Sequence, residues 1–312
     1  MDWMAPVMSD TSSTTAARAD TKRAVFVKRT ASTLFLWTVV TATLVSMKAW
    51  AYLGLVGVLT VLASREYFKM MRAGGVFCFP RLGMGIAVGY CAVLYWQLLA
   101  GGGKFPGAID AVAVFLATTV AFTLQLRHPV RGFESLASVA VNLLGFVYVV
   151  LLFNFCARII FIVPGEGEVP GAILLLWLLA VTKFTDMGAY ITGSLIGRHK
   201  MIPHISPGKT WEGFGGALFF SQLAACGLYF FLPEHLAILG GWGHVVFLGF
   251  LLCVLAVIGD LAESVVKRAI QAKDSGQILP GIGGALDLVD SICFTAPALF
   301  FYIIWVLQPA AA

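Results

Sequence analysis

Residues Val245–Ile258 read VVFLGFLLCVLAVI and run without a break into GDLAESVVKRA at Gly259–Ala269. The first piece carries no charge and suits hydrocarbon. The second carries Asp260, Glu263, Lys267 and Arg268. In a helix, Asp260, Glu263, Ser264, Lys267 and Arg268 stand at i, i+3, i+4, i+7 and i+8 and share one face, beside an apolar stripe of Leu261, Val265 and Ala269. The pattern predicts a membrane helix that leaves the bilayer and turns a charged face toward something polar.

Composition extends that reading to the whole chain. Its 312 residues are 59% hydrophobic and 12% charged, with a mean hydropathy of +0.89, whereas soluble domains carry about 25% charged residues. Apolar runs near the roughly 20 residues needed to span hydrocarbon lie at Ala31–Met47, Ala49–Ser64, Leu82–Ala100, Ile109–Leu126 and Leu136–Cys156. Further runs lie at Gly171–Gly197, Gly213–Leu232, Val245–Ile258 and Asp290–Leu307. The expected fold class is therefore all-α: a polytopic membrane bundle of about nine transmembrane helices.

Charge sets the expected orientation. With the N-terminus inside, most of the 21 basic residues fall in inner segments, including Arg65, Lys69, Arg72, Arg127, Arg131, Lys209, Lys267 and Arg268, against Lys48, Lys104 and Arg158 outside. The positive-inside rule then predicts a cytoplasmic N-terminus and places every motif-bearing loop on the cytoplasmic side. The same bias accounts for the net charge of +5, so nucleic-acid binding is not expected.

Residues 1–30 read as a flexible cytoplasmic tail, residues 31–165 as a transmembrane scaffold and residues 166–312 as a catalytic region. The first apolar run reads as a retained anchor rather than a cleavable signal. The six cysteines are scattered with no C-x-x-C pair, which gives neither metal-ligand spacing nor a disulfide framework.

Charges with motif-like spacing begin in the sixth run, where Lys183, Asp186 and Tyr190 interrupt apolar sequence. Asp186 and Tyr190 are four apart and share a face, while Gly188, Gly193 and Gly197 allow close helix approach. Next comes Ser206-Pro207-Gly208-Lys209-Thr210-Trp211-Glu212-Gly213. Pro207 and Gly208 predict a turn, Lys209 offers a point charge suited to phosphate, Ser206 and Thr210 offer hydroxyls, and the helix start behind them offers free amides. A P-loop is excluded, because Pro203 stands where its first glycine belongs and no buried strand precedes it.

The stretch from Gly259 to Ser291 gathers eight charged residues in oily surroundings, where charge is costly and marks function. Asp287 and Asp290 follow a glycine-rich turn, Pro280-Gly281-Ile282-Gly283-Gly284. Carboxylates from two helix ends, Asp260 and Asp287, are what a Mg²⁺ carrying substrate phosphates requires, and Lys or Arg nearby can hold the remaining phosphate charge.

Two blocks carry a resemblance. Ser264-x-Val266-Lys267-Arg268-x4-Lys273-Asp274-x-Gly276, then Leu279-Pro280, Gly283-Gly284, Asp287 and Asp290, together with Asp186, Ala189-Tyr190, Gly193, Gly197, Ser206-Pro207 and Lys209 to Gly213, are similar in order and spacing to the phosphatidate cytidylyltransferase family. That family usually reads His-Gly-Gly and Asp-Arg-x-Asp, where this chain has Ile282-Gly283-Gly284 and Asp287-Leu288-Val289-Asp290.

The resemblance implies transfer of CMP from CTP to phosphatidic acid within a bacterial inner membrane, with the site facing the cytoplasm. It implies Mg²⁺ on Asp260 and Asp287 with Asp290 and Glu263 as further ligands, and K⁺ is a candidate second ion. Lys209, Lys267, Arg268 and Lys273 would bind phosphates, with Asp186, Ser206, Thr210 and Ser264 lining the substrate; dimers are implied as well. The alternatives are a CTP-dependent lipid-alcohol kinase, which would need a base to activate a hydroxyl, and an inactive lipid-binding relative.

Overall fold

The computed structural model describes residues 38–40, 42–43, 46–100, 108–162, 171–272, 275–276 and 283–308. The tail at Met1–Thr30, most of the first apolar run, Lys273, Asp274 and the turn through Ile282 lie outside the described residues.

The described chain is mostly helical: α1 (Ala49–Ala73), α2 (Pro80–Ala100), α3 (Ala108–Gln125), α4 (Phe133–Leu144) and α5 (Phe155–Ile160), then α6 (Ala172–Ile196), α7 (Trp211–Phe231), α8 (Trp242–Ala269) and α9 (Ala285–Tyr302). A π-helical segment, Gly145–Leu151, joins α4 toward α5, so that Phe133–Ile160 acts as one span, and Ile303–Leu307 prolongs α9. Among the described residues, seven helices are long and apolar enough to cross a membrane. The chain is a multi-pass membrane protein by its helix composition. The expected runs from Leu82 onward fall on these seven helices, and the run Ala49–Ser64 falls on α1, which is not among them. The helix α1 is as long as α6 but carries Arg65, Glu66, Lys69 and Arg72 in its later turns.

Between α6 and α7 the chain forms a small antiparallel hairpin, β1 (Lys200–Ile202) and β2 (Ser206–Thr210), with Lys200 opposite Thr210 and Ile202 opposite Ser206. This corrects the expected turn at Pro207-Gly208. Both residues lie inside β2, and the reversal is at Pro203–Ile205, where the Ile205 amide donates to the Ile202 carbonyl at 3.2 Å. A two-stranded hairpin is all edge, and a proline without an amide is tolerated there.

The core is apolar and shared by the whole bundle; Trp177, Leu178, Leu248, Leu252, Leu299 and Ile159 are all fully buried. Cys78, Cys91, Cys156, Cys253 and Cys293 are buried and Cys226 half-buried, all as free thiols. Arg158, expected in an outer loop, instead sits buried in α5, where its guanidinium meets Asp110 of α3 at 2.5 Å. Tyr90 of α2 donates to the same Asp110 oxygen at 2.8 Å, so the buried guanidinium has a counter-charge beside it.

Candidate active site

The hairpin is fixed to the start of α7 by its own side chains. Thr210 is the N-cap: its hydroxyl accepts the Gly213 amide at 3.1 Å, the bond expected of a capping Thr. Glu212 accepts the backbone amides of Arg198 at 3.1 Å and His199 at 3.2 Å, and the Trp211 amide donates to the His199 carbonyl at 2.9 Å. The hairpin therefore enters and leaves at one point, with Ser206, Gly208 and Lys209 on its return strand.

Helices α6 and α7 cross closely behind it. A Cβ at Gly188 would lie 2.6 Å from the Gly216 carbonyl oxygen, and one at Gly213 would lie 2.9 Å from that of Ala189. The small residues expected to allow close helix approach are thus used within one chain. Their contact carries Asp186, Ala189 and Tyr190 to the hairpin.

On the other wall, α8 approaches α9 at Gly259, where a Cβ would stand 2.8 Å from the Asp290 carbonyl oxygen. That contact brings the acids of both helices together. One carboxylate oxygen from each of Asp260, Glu263 and Asp290 lies within 4.8 Å of the others, and Glu263 and Asp290 are buried.

Two lysines answer these acids. Lys209 Nζ, reaching from β2, stands 2.6 Å from Asp260 Oδ2 and donates to the Val257 carbonyl at 3.3 Å. Lys267 Nζ bridges Glu263 Oε2 at 2.7 Å and Asp287 Oδ1 at 3.0 Å. The remaining oxygen of Asp287 accepts from the Ser275 hydroxyl at 2.7 Å and the Gly284 amide at 2.8 Å. Asp260, Glu263, Asp287, Asp290, Lys209 and Lys267 line a cavity of ≈ 460 Å³ together with Thr185, Asp186, Tyr190 and Phe214. Carboxylates in one corner and ammonium groups beside them can hold a cation together with a polyanion.

Residues 27–306 match the Cytidylyltransferase family. The chain belongs to that family. Among curated relatives, the phosphatidate cytidylyltransferase of Brucella suis is 44% identical over 139 residues, 44% of this chain and 49% of that protein. The phosphatidate cytidylyltransferase of Synechocystis is 28% identical over 292 residues, 85% of this chain and 92% of the relative. The uncharacterized protein YnbB of Escherichia coli is 35% identical over 159 residues, 51% of each chain. The chain thus spans about half the length of the Brucella and E. coli relatives it matches.

In this cytidylyltransferase-family chain, the residues singled out in the sequence divide by place. Asp186, Ser206, Lys209, Thr210, Asp260, Glu263, Lys267, Asp287 and Asp290 all border the cavity. Ser264 and Arg268 share the helix without bordering it. The Arg268 guanidinium turns to the hairpin, where Nε donates to the Ile205 carbonyl at 3.2 Å. Lys273 lies outside the described residues. Asp260 has its basic partner across the cavity rather than along its own helix, and Lys183 pairs with Asp186 at 3.5 Å while donating to the Leu288 carbonyl at 3.2 Å.

The donor set of the cytidylyltransferase-family cavity suits a hard divalent ion. Asp260, Glu263 and Asp290 offer oxygen only, and Glu263 Oε1 is buried without a hydrogen-bond partner among the described residues. Mg²⁺ takes one or two carboxylates and leaves its other positions to water and phosphate. Glu66 of α1, which the sequence reading passed over, also reaches this wall through the Leu286 amide at 3.0 Å. The signal for it was an acid in an apolar helix, masked by its basic neighbours Arg65 and Lys69.

Proposed function

We propose that this protein is a phosphatidate cytidylyltransferase, transferring CMP from CTP to phosphatidic acid to give CDP-diacylglycerol and pyrophosphate. The observation that carries the reading is the convergence of three carboxylates and two lysines in one cavity at the helix ends. The Brucella and Synechocystis relatives, both named phosphatidate cytidylyltransferase, support the same chemistry.

A phosphate oxygen of phosphatidate forms a bond to the α-phosphorus of CTP while the bond from that phosphorus to the β-bridging oxygen breaks. Pyrophosphate carries away the electron pair. The nucleophile is already an anion, so no general base is required; alignment and charge neutralisation supply the catalysis. This also makes a histidine at position 282 dispensable.

Asp260, Glu263 and Asp290 would hold Mg²⁺, which when bound offsets triphosphate charge and orients the phosphates. Lys209, on the hairpin, and Lys267, fixed between Glu263 and Asp287, bind phosphate oxygens. Ser206 donates its hydroxyl to the substrate, and Asp186 and Tyr190 also line the cavity. Lipid enters from the membrane, and the site faces the cytoplasm, where CTP is available.

The test supplies purified protein in detergent with Mg²⁺, phosphatidic acid and CTP labelled at the α-phosphate. Label in the lipid with release of pyrophosphate is expected. A parallel reaction with a lipid alcohol and CTP labelled at the γ-phosphate tests the alternative: label entering the alcohol there with release of CDP, and none entering lipid from the α-phosphate, would replace the reading by a lipid kinase.

A further inference from the structure

The first turn of α9 begins after Gly284, and its amides need acceptors from outside the helix. A side chain at the N-cap ordinarily takes the amide of the second or third helical residue. Gly284 has no side chain. Leu286, the second residue, instead donates its amide to Oε2 of Glu66 at 3.0 Å. Glu66 belongs to α1, 220 positions earlier, and it is 1% exposed.

We propose that Glu66 is a positioning residue for Asp287. It supplies from a distant helix the cap that Gly284 lacks, and so fixes the turn in which Asp287 holds Lys267. The expected effect on turnover rests on the cytidylyltransferase reading; the effect on the turn does not.

The space around the bond supports this role. A Cβ at Gly284 would lie 2.5 Å from Glu66 Oε2 and would strike the Ser275 hydroxyl, while a Cβ at Gly276 would strike Glu66 Oε1. The Glu66 side chain therefore reaches the turn only because residue 284 is glycine. Ser275, whose hydroxyl shares that space, donates to Asp287 Oδ2 at 2.7 Å, and the Gly284 amide donates to the same oxygen at 2.8 Å. The Glu66 carboxylate and the Asp287 carboxylate thus meet consecutive parts of one turn, each at the positive end of α9. Loss of Glu66 leaves the Leu286 amide buried without its acceptor, and the turn must move to find another.

The experiment compares the full-length wild type with Glu66→Leu, which keeps the bulk without an acceptor, and Glu66→Gln, which keeps a carbonyl oxygen. In lipid nanodiscs, backbone amide exchange is followed in peptides covering residues 284–288, and single-turnover rate is measured per molecule of bound CTP. Glu66→Leu is expected to speed exchange in that peptide and to lower turnover per bound CTP by roughly 10- to 100-fold, as for residues that orient a metal site; Glu66→Gln is expected to restore both. A role in folding alone lowers the fraction of protein that binds CTP and leaves the rate per bound CTP unchanged, which would overturn the proposal. Should Glu66→Leu fail to insert, Gly284→Ala pushes the carboxylate off the amide, and unchanged exchange there overturns it equally. If the wild type transfers no label at all, the functional reading falls and the exchange measurement alone decides the role of Glu66.

Discussion

Lys209 Nζ and Asp260 Oδ2 stand 2.6 Å apart, tying the return strand of the hairpin to α8 across the cavity. Asp260 is also one corner of the acidic triad. On the proposed reading the same carboxylate would serve both the lysine and Mg²⁺, and Lys209 would be released toward phosphate when the ion is held.

Lys209→Met is expected to weaken CTP binding by roughly tenfold or more, the loss corresponding to a hydrogen bond to a charged group of about 1.5–3 kcal/mol. It should also shrink the gain in CTP affinity that Mg²⁺ gives. CTP titrations at stepped Mg²⁺ check both; equal affinities in mutant and wild type would remove Lys209 from the phosphate site.

Asp260→Asn and Asp290→Asn are expected to cut turnover by about a hundredfold or more, because charge stabilisation by the metal is worth several kcal/mol and each 1.36 kcal/mol is tenfold in rate. Asp287→Asn separates two roles. If Asp287 acts through Lys267, turnover falls while the Mg²⁺ activation curve keeps its midpoint; a shift of the midpoint to higher Mg²⁺ would make Asp287 a ligand.

Lys183 reaches the Leu288 carbonyl at 3.2 Å, beside the position where the resembled family usually carries Arg. A cation is thus present near residue 288 although its own side chain is apolar. Lys183→Met is expected to lower turnover by roughly tenfold, on the scale of a charge-assisted hydrogen bond, and adding Leu288→Arg should recover it. Failure of the second change to rescue would show that the two cations do different work.

Gly188→Val forces a side chain against the Gly216 carbonyl oxygen and Phe220 Cβ, 2.6 and 2.7 Å from its Cβ position. Overpacking of this kind costs about 1–3 kcal/mol, and the hairpin feet would separate with the helices. A lower Tm in detergent together with lost activity is expected, whereas Gly227→Ala, with no atom within 4 Å of its Cβ, should leave Tm unchanged.

The membrane helices were legible because apolar runs such as VVFLGFLLCVLAVI need no partner to be recognised. Helix ends were partly so: α8 reaches Ala269 as one 28-residue helix, as its charged face predicts, whereas α1 continues to Ala73, beyond the apolar run that ends at Ser64. That Asp260, Glu263, Lys267 and Asp290 gather in one place was readable from helical spacing and from charge in oily sequence. The Glu263–Lys267 pair was readable as an i,i+4 spacing; the partners from other elements were not. Lys209 meets Asp260 through a hairpin whose strand contains Pro and Gly, residues that locally favour a turn, and the tertiary anchorage of Glu212 overrides that preference. Glu66 was hidden for a different reason: an acid one turn before Lys69 looks like a surface pair, and its burial depends on a helix more than two hundred residues later.

The Asp110–Arg158 pair in the other half of the bundle constrains how this sequence can drift. The two residues sit on α3 and α5 with Tyr90 between them. A lineage that loses the acid alone keeps a guanidinium in an oily interior, and one that loses the base alone keeps a carboxylate there; both are exposed to selection at once. Change at these positions must then be concerted, passing to two apolar residues or to an exchanged pair. Descendants of this chain are expected to differ at 110 and 158 together, and an Asp110→Arg, Arg158→Asp double exchange should accumulate in membranes better than either single replacement.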